Sequence, residues 1–339
     1  MAKFLITGGA GFIGHHLTKY LLGKEQEVTI LDCFSEYYSP YLKWKNARDT
    51  EKLGAKIVEG NILSKQKLSK TITKNNIDTI IHLAAQPGVR YSTENPEMAL
   101  RINVEGTSNV LSSARENGVN KVVITSSSSV FGATKYMPMD EQHPKSPISF
   151  YGVSKLTTEK LVAVCNHLYP ELDTTIIRPF TVVGARQRPD MAINIFVSRV
   201  MNREIINIFG DGTQTRDWTH VGNMVQAFHL AATKPKAKHQ IFNIGAGTRI
   251  SVNEVLEIVS EVTGNEPLLE YTAMNKADVK DTFADISKAK KLLGYNPKKT
   301  IFDAVVDFAQ YWEDINYGKL LTSKELIEME FGSSEISGP

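Results

Sequence analysis

Lys3-Phe-Leu-Ile-Thr-Gly-Gly-Ala-Gly-Phe-Ile-Gly14 is followed by a helical stretch, Phe12–Leu22, and then by a second apolar run, Val28-Thr-Ile-Leu-Asp32. Lys3–Thr7 reads as a strand. Gly8, Gly11 and Gly14 follow it at spacings of three and lead into the helix, which takes in Phe12 and Ile13. Glycine permits the tight turn and lets backbone approach a pyrophosphate closely. The helix N-terminus adds free N–H groups and a positive dipole end. Asp32 closes the second strand, where an acid accepts hydrogen bonds from both ribose hydroxyls of an adenosine. It would repel a 2′-phosphate, and no Arg or Lys adjoins it in sequence, so NAD is expected rather than NADP. A glycine-rich connector would account for the glycines alone. It would not account for strand, turn, helix, strand and acid in register.

Outward from this unit the same alternation continues. Lys56–Glu59, Thr79–Leu83, Lys121–Thr125 and Thr174–Ile177 have the β-branched richness of strands buried on both faces. Glu97–Asn117 and Val153–Leu168 read as helices between them. The fold class is therefore α/β, a doubly wound parallel sheet of Rossmann type. Past Arg178 the pattern loosens. Arg178–Asp190 and Gly210–Trp218 read as irregular loops, followed by helices at Val252–Thr263, Ser287–Leu293 and Ile301–Ile315. Residues 1–178 are expected to form the NAD-binding domain. Residues 179–317 form a smaller C-terminal α/β substrate lobe with crossings back to the first, and 318–339 a frayed tail.

Composition excludes several classes. At 42% hydrophobic and 22% charged residues, the 339-residue chain can build a sizeable core. A net charge of +2 is too mild for a nucleic-acid or membrane-surface binder. Cys33 and Cys165 form no Cys-x-x-Cys pair, the start lacks a leader pattern, and no apolar stretch nears the ~20 residues of a membrane span. A cytoplasmic protein is expected. His82, His143 and His220 show no metal-ligand spacing, so no metal is expected.

The chemistry is carried by Tyr151-Gly-Val-Ser-Lys155. Positions four apart share one helix face. A phenol ionises near pH ~10. A neighbouring ammonium and a cationic nicotinamide would lower that value and make the tyrosine a base near neutrality. Any single Tyr-x-x-x-Lys is more often an exposed Tyr beside a solvated Lys. This one follows a strand ending in hydroxyls, Thr125-Ser-Ser-Ser-Ser129, at the carboxyl end of a parallel strand, where open α/β sheets bind ligands.

With these motifs in hand, the sequence resembles the extended short-chain dehydrogenase/reductase family, in its nucleotide-sugar epimerase and dehydratase branch. The resemblance runs from Lys3 to about Tyr311. It rests on the glycine turn, His82–Arg90, Asn103, Ser126–Gly132, Tyr151–Lys155, Arg178–Gly184, Gly210–Trp218 and Ala284–Tyr295. It implies that Gly8, Gly11, Gly14 and Asp32 hold NAD and that Asn61, where the family more often has Asp, reads the adenine with Ile62. Leu83, Ala84, Ala85, Asn103 and Pro179 line the coenzyme. Ser127 resembles the catalytic hydroxyl, Tyr151 the base and Lys155 its partner. Arg216 resembles a diphosphate ligand and Asp278 a ribose contact, whereas Asn275 replaces an Arg that many relatives place on the diphosphate.

The branch divides by chemistry after the catalytic hydroxyl. Dehydratases carry an acidic pair there and uronate decarboxylases a Glu, whereas this chain has Ser128 and Ser129. Without a carboxylate, elimination lacks its acid and base. The fucose-synthase type uses a Cys and a His, and no Cys lies in this segment. Oxidation at C4 of a UDP-sugar, followed by reduction on the other face, remains. Arg188-Pro-Asp-Met-Ala192 resembles the UDP-glucuronate 4-epimerases, in which Thr181 and Arg188 would hold the sugar carboxylate, since a guanidinium fork suits a carboxylate. Arg90 and Ser128 are counted with the substrate contacts. The neutral pair UDP-glucose/UDP-galactose, or its N-acetylated counterpart, is the alternative. A net dehydrogenase and a non-catalytic dinucleotide sensor are more distant ones. Phe131 and Val183 replace usual tyrosines and are expected to change the sugar pocket. Helices Glu97–Asn117 and Val153–Leu168, apolar on more than one face, suggest a homodimer through a four-helix bundle, as in the family.

Overall fold

The computed structural model describes residues 1–273 and 279–317. Its strands are β1 (Lys3–Thr7), β2 (Glu27–Asp32), β3 (Lys56–Glu59), β4 (Thr79–His82), β5 (Lys121–Thr125), β6 (Asp173–Pro179), β7 (Thr181–Val183), β8 (Ile205–Phe209), β9 (Thr215–Arg216), β10 (Trp218–His220), β11 (Ile241–Ile244), β12 (Ile250–Ser251) and β13 (Leu268–Thr272). The helices are α1 (Phe12–Leu22), α2 (Pro40–Glu51), α3 (Lys65–Asn75), α4 (Val89–Glu94), α5 (Pro96–Leu100), α6 (Gly106–Glu116), α7 (Phe150–Leu168), α8 (Ala192–Asn202), α9 (Val221–Thr233), α10 (Val252–Thr263), α11 (Ser287–Leu293) and α12 (Ile301–Tyr317).

Seven parallel strands form the main sheet in the order β11-β6-β5-β4-β1-β2-β3. The strand order reverses between β1 and β4, which pair directly from Phe4↔Thr79 to Thr7↔His82. Such a reversal opens a crevice beyond the carboxyl ends of the strands. The pleat sends alternate side chains to opposite faces. Phe4 and Ile6 of β1 enter the core shared with α1 and α9, whereas Leu5 enters the core shared with α3, α6 and α7. His82 ties the layers together, its Nδ1 2.7 Å from the Thr7 hydroxyl and its Nε2 3.0 Å from that of Thr107. Burial, reinforced by the charge of Lys155, pushes it down to about 3, so it is a neutral structural imidazole.

Beyond residue 178 the chain does cross back: α9 packs on α1, and β11 adds the seventh strand beside β6. A second core gathers α8, α10, α12 and β8 around Val197, Val255, Val305 and Phe308. The two stretches read as irregular loops contain short strands instead. β7 pairs in parallel with β10, and β9 pairs with β12. Runs of two or three residues leave too little periodicity to be seen in sequence. Glu97–Asn117 is also not one α-helix. A π-helical turn over Arg101–Glu105 separates α5 from α6. The Asn103 carbonyl within it accepts the hydroxyls of Thr107 (2.6 Å) and Thr158 (3.3 Å), which stitches this helix to α7.

Candidate active site

The crevice at the strand reversal is a cavity of about 470 Å³. Its wall includes Gly8, Gly11, Phe12, Ile13, Gly14, Asp32, Asn61, Ile62, Leu83, Ala84, Ala85 and Pro179, and also Ser127, Ser128, Tyr151, Lys155, Thr181 and Arg188. Gly8 turns at φ +73°, and a Cβ there would lie 2.7 Å from the Ala84 amide nitrogen. At Gly14 a Cβ would lie 2.6 Å from Gly9 Cα. Any side chain at either position would force the turn off the neighbouring strand or the helix off the turn.

Asp32 is held in place by two backbone amides, Ala10 N–H to Oδ2 at 3.1 Å and Phe34 N–H to Oδ1 at 2.9 Å. Burial nonetheless raises its carboxyl above the ordinary value. The charge that opposes this comes from Lys43, a residue that sequence proximity to Asp32 does not reveal. α2 brings it back to the same wall, where its ammonium donates to the Ser35 hydroxyl (2.9 Å) and carbonyl and lies over the Tyr38 ring (4.3 Å).

α7 delivers the catalytic pair. Ser149 caps it, accepting from Gly152 N–H at 3.1 Å, so the helix begins directly before Tyr151. The Tyr151 phenol shares the wall with Ser127, whose hydroxyl favours its charged form. Ser127 in turn donates to the Ser129 hydroxyl at 3.1 Å and accepts from the Ser129 amide at 3.1 Å. Lys155 Nζ donates to the Thr125 carbonyl at 2.8 Å and stands 5.9 Å from the Tyr151 ring centroid. Burial lowers Lys155 to about 8, against the opposing charge of Glu159. The lowered tyrosine expected from sequence is not what the protein alone provides. Burial raises Tyr151, and Ser127 with the Arg188 charge pull only partly against it. Lys155 donates to the Thr125 carbonyl and is not among the groups that lower Tyr151 in the protein alone. Beside it the buried Thr125 hydroxyl has no partner. This open hydrogen-bonding group on the wall, with the acid and the glycine turn, fits a bound nicotinamide dinucleotide.

At the other end of the wall Arg188 forms a bidentate pair with Asp190, Nε–Oδ1 2.9 Å and Nη2–Oδ2 3.1 Å. The Tyr37 hydroxyl donates to Asp190 Oδ2 at 2.9 Å, and its ring lies edge-on to Tyr91 at 5.0 Å. Tyr37 and Lys43 on the wall, and Asp190 behind it, escaped the sequence reading. Only the tertiary fold brings them there, although a Tyr-Tyr pair directly after the Asp32 strand was a usable signal.

Three expected residues are not on this wall. Asn103 is buried behind it. Its Oδ1 accepts from Gln86 N–H (2.7 Å), and its Nδ2 donates to Gln86 O (3.1 Å) and the Ser154 hydroxyl (2.9 Å), so it braces the wall from outside. Arg90 stacks on Phe209 at 4.3 Å, and Arg216 donates to the carbonyls of Thr215 and Lys280 at 2.9 and 2.7 Å. Asp278, with Asn275, lies outside the described residues. Phe131 and Val183 do not line the cavity either. Both are fully buried in the cores, Phe131 under the Arg178 guanidinium at 5.0 Å.

A phosphate-binding glycine turn at a strand reversal, an acid on the second strand and a Tyr–Lys pair one helical turn apart define a dinucleotide-dependent enzyme of the short-chain oxidoreductase type. Residues 4–245 match the NAD dependent epimerase/dehydratase family, and the chain belongs to it. It is 37% identical to the UDP-glucuronate 4-epimerase of Thermodesulfobacterium geofontis over 89% of this chain and 93% of that one. The UDP-glucuronic acid 4-epimerase of Bacillus cereus, solved with UDP-glucuronic acid and NAD, superimposes with a TM-score of 0.87 at 32% identity, over 92% of this chain and 99% of that one. The Thermotoga maritima UDP-glucose 4-epimerase, solved with UDP-glucose, does so at 0.84 and 30% identity, over 92% and 99%.

Proposed function

We propose that the protein interconverts UDP-glucuronate and UDP-galacturonate by NAD-dependent epimerisation at C4. The observation that carries this reading is the presence of Arg188 and Thr181 on the same wall as Tyr151 and Ser127, with Arg188 near enough for its charge to act on the phenol. Asp190 already engages the guanidinium fork with a planar carboxylate, which is the geometry a uronate would require.

Tyr151 takes the proton of the C4 hydroxyl while Ser127 hydrogen-bonds the same oxygen. Lys155 and Arg188 supply positive charge around the developing phenolate. Asp32 and the glycine turn would hold NAD, which would supply hydride acceptance and return at C4. The 4-keto sugar turns about its diphosphate link and takes the proton back from Tyr151 on its other face. Ser128 and Ser129 offer no carboxylate for elimination, which favours epimerisation over dehydration. Residues 1–178 with α9, β11 and α11 act as the coenzyme lobe, and α8, α10, α12 and β8 build the substrate lobe. Arg216 and Asp278 keep the diphosphate and ribose roles that the family resemblance gives them, and Arg90 stays among the substrate contacts.

Incubation of the purified protein, without added coenzyme, with UDP-glucuronate, UDP-glucose and UDP-N-acetylglucosamine tests the reading, with products identified by proton NMR. Galacturonate is the expected product. Conversion of the neutral sugars alone would transfer the assignment to the UDP-glucose type, which the Thermotoga relative represents. Arg188→Leu is expected to lower kcat/KM for UDP-glucuronate about a hundredfold, the scale of removing one partner from a desolvated charge pair. Any activity on a neutral sugar should fall far less.

The exposed apolar residues Met98, Leu100, Phe150, Val153, Val164 and Leu168 lie on α5 and α7. They support a homodimer through these helices. Sedimentation equilibrium should give twice the monomer mass, and a monomer at micromolar concentration would remove this part of the reading. Among the described residues no helix is long and apolar enough to cross a membrane, which with two unpaired cysteines supports a cytoplasmic site.

A further inference from the structure

The loop that carries Arg188 also carries Arg186, which points the other way, off the cavity and onto α2. Its Nη1 donates to Asn46 Oδ1 at 2.6 Å and its Nη2 to Asp49 Oδ2 at 2.7 Å, and its guanidinium lies over the Tyr311 ring of α12 at 5.3 Å. Arg186 has a φ of +64°, a conformation that a side-chain-bearing residue holds only when its surroundings fix it. The residue before it is fixed as well, because the Ala185 carbonyl accepts from His16 Nε2 at 2.8 Å.

Asn46 is the hub. Its Nδ2 donates to the Ala10 carbonyl at 3.0 Å, and its own carbonyl accepts from His15 Nδ1 at 3.1 Å. Ala10 N–H is in turn a ligand of Asp32. A continuous hydrogen-bonded path therefore runs from the coenzyme acid through the glycine turn and α2 to the loop that presents Arg188. The second lobe holds this loop independently: Gln187 Nε2 donates to the Val182 carbonyl at 3.0 Å, and Asn194 Nδ2 donates to the Gln187 carbonyl at 2.8 Å. Arg186 ties the same loop to α2, alongside the His16–Ala185 and Tyr37–Asp190 bonds to the first lobe.

We propose that Arg186 is a positioning residue. By clamping the 185–190 loop to α2 it fixes the height and direction of Arg188 over the sugar, and so sets the affinity for the uronate carboxylate without touching the substrate. The proposal rests on the uronate reading above. A guanidinium displaced by about 1 Å loses bidentate geometry with a carboxylate, while a neutral part of the ligand is held elsewhere and is unaffected.

The test uses the full-length protein with its retained NAD and two variants, Arg186→Met and Asp49→Ala. Asp49 is a partly exposed side chain on a surface helix, so the second variant answers if the first does not fold. Both are expected to raise KM for UDP-glucuronate, by about five- to tenfold for Arg186→Met and about threefold for Asp49→Ala. kcat should stay within about twofold, and the inhibition constant of UDP and the NAD content should be unchanged. An unchanged KM in both variants overturns the proposal. So does an equal rise in KM and in the UDP inhibition constant, because that reports a generally loosened fold. If the wild-type protein does not convert UDP-glucuronate, the function assigned above fails and this inference fails with it. Wild-type conversion with indifferent variants sinks the inference alone.

Discussion

Tyr151→Phe should reduce kcat about a thousandfold, within the 10²–10⁴ range of a removed general base, while KM and retained NAD stay close to wild type. The substitution removes one oxygen from a ring on the cavity wall and leaves the ring's packing intact. It takes away the phenol on which the Ser127 hydroxyl acts, and with it the group assigned to both proton transfers. A drop in kcat of less than tenfold would show that another group carries the proton. The pH profile adds a second check. Lys155 sits near 8 because burial disfavours its charged form. Below that pH it is an ammonium and supports the phenolate, and above it the support disappears. The alkaline limb of kcat should therefore fall through about 8 in the wild type. Lys155→Met should abolish that limb along with most of the rate.

Much of this machinery was legible in the sequence because it is local. The strand, turn and helix from Lys3 to Leu22 follow from glycine spacing and apolar runs, and β1, α1, β3 and β5 have the expected bounds. Tyr151 and Lys155 share a face because any helix places positions four apart together. What stayed hidden depends on distance in sequence. Lys43 reaches Asp32 only because α2 folds back across the turn. Asp190 gains Tyr37 as a partner only because the two lobes meet there. The burial that raises Tyr151 in the protein alone stayed hidden for a related reason. A charged neighbour can be read from spacing, but burial and the carbonyl that captures the Lys155 ammonium cannot. Asn103 shows the converse limit, since a motif position implies proximity to the coenzyme without saying which side of the wall it braces.

The same limit applies to the residue with the largest expected effect on stability. Arg178→Met should cost on the order of 3–5 kcal/mol, measured as a fall in the urea midpoint, because it leaves a buried carboxylate without its counter-charge. The Arg178 side chain is 0% exposed and that of Glu159 5%. The pair is bidentate, Nε–Oε1 2.7 Å and Nη2–Oε2 2.6 Å, and Ser126 adds its hydroxyl to Oε1 at 2.6 Å. Nη1 goes to the Glu141 carbonyl at 3.1 Å. Removing the arginine alone strands Glu159 with a single hydroxyl donor in a water-free interior. Removing both charges does not, so Arg178→Met combined with Glu159→Gln should recover more than half of the lost stability. A double variant no more stable than the single one would mean that packing over Phe131, rather than the charge pair, sets the cost. The double variant also separates folding from catalysis. Glu159 opposes the desolvation of Lys155, so without its charge Lys155 gives up its proton at lower pH. The recovered protein should remain folded and NAD-bound, yet its alkaline limb should shift below the wild-type position near 8. That pairing of restored stability with a displaced pH profile is not produced by a purely structural role for the ion pair.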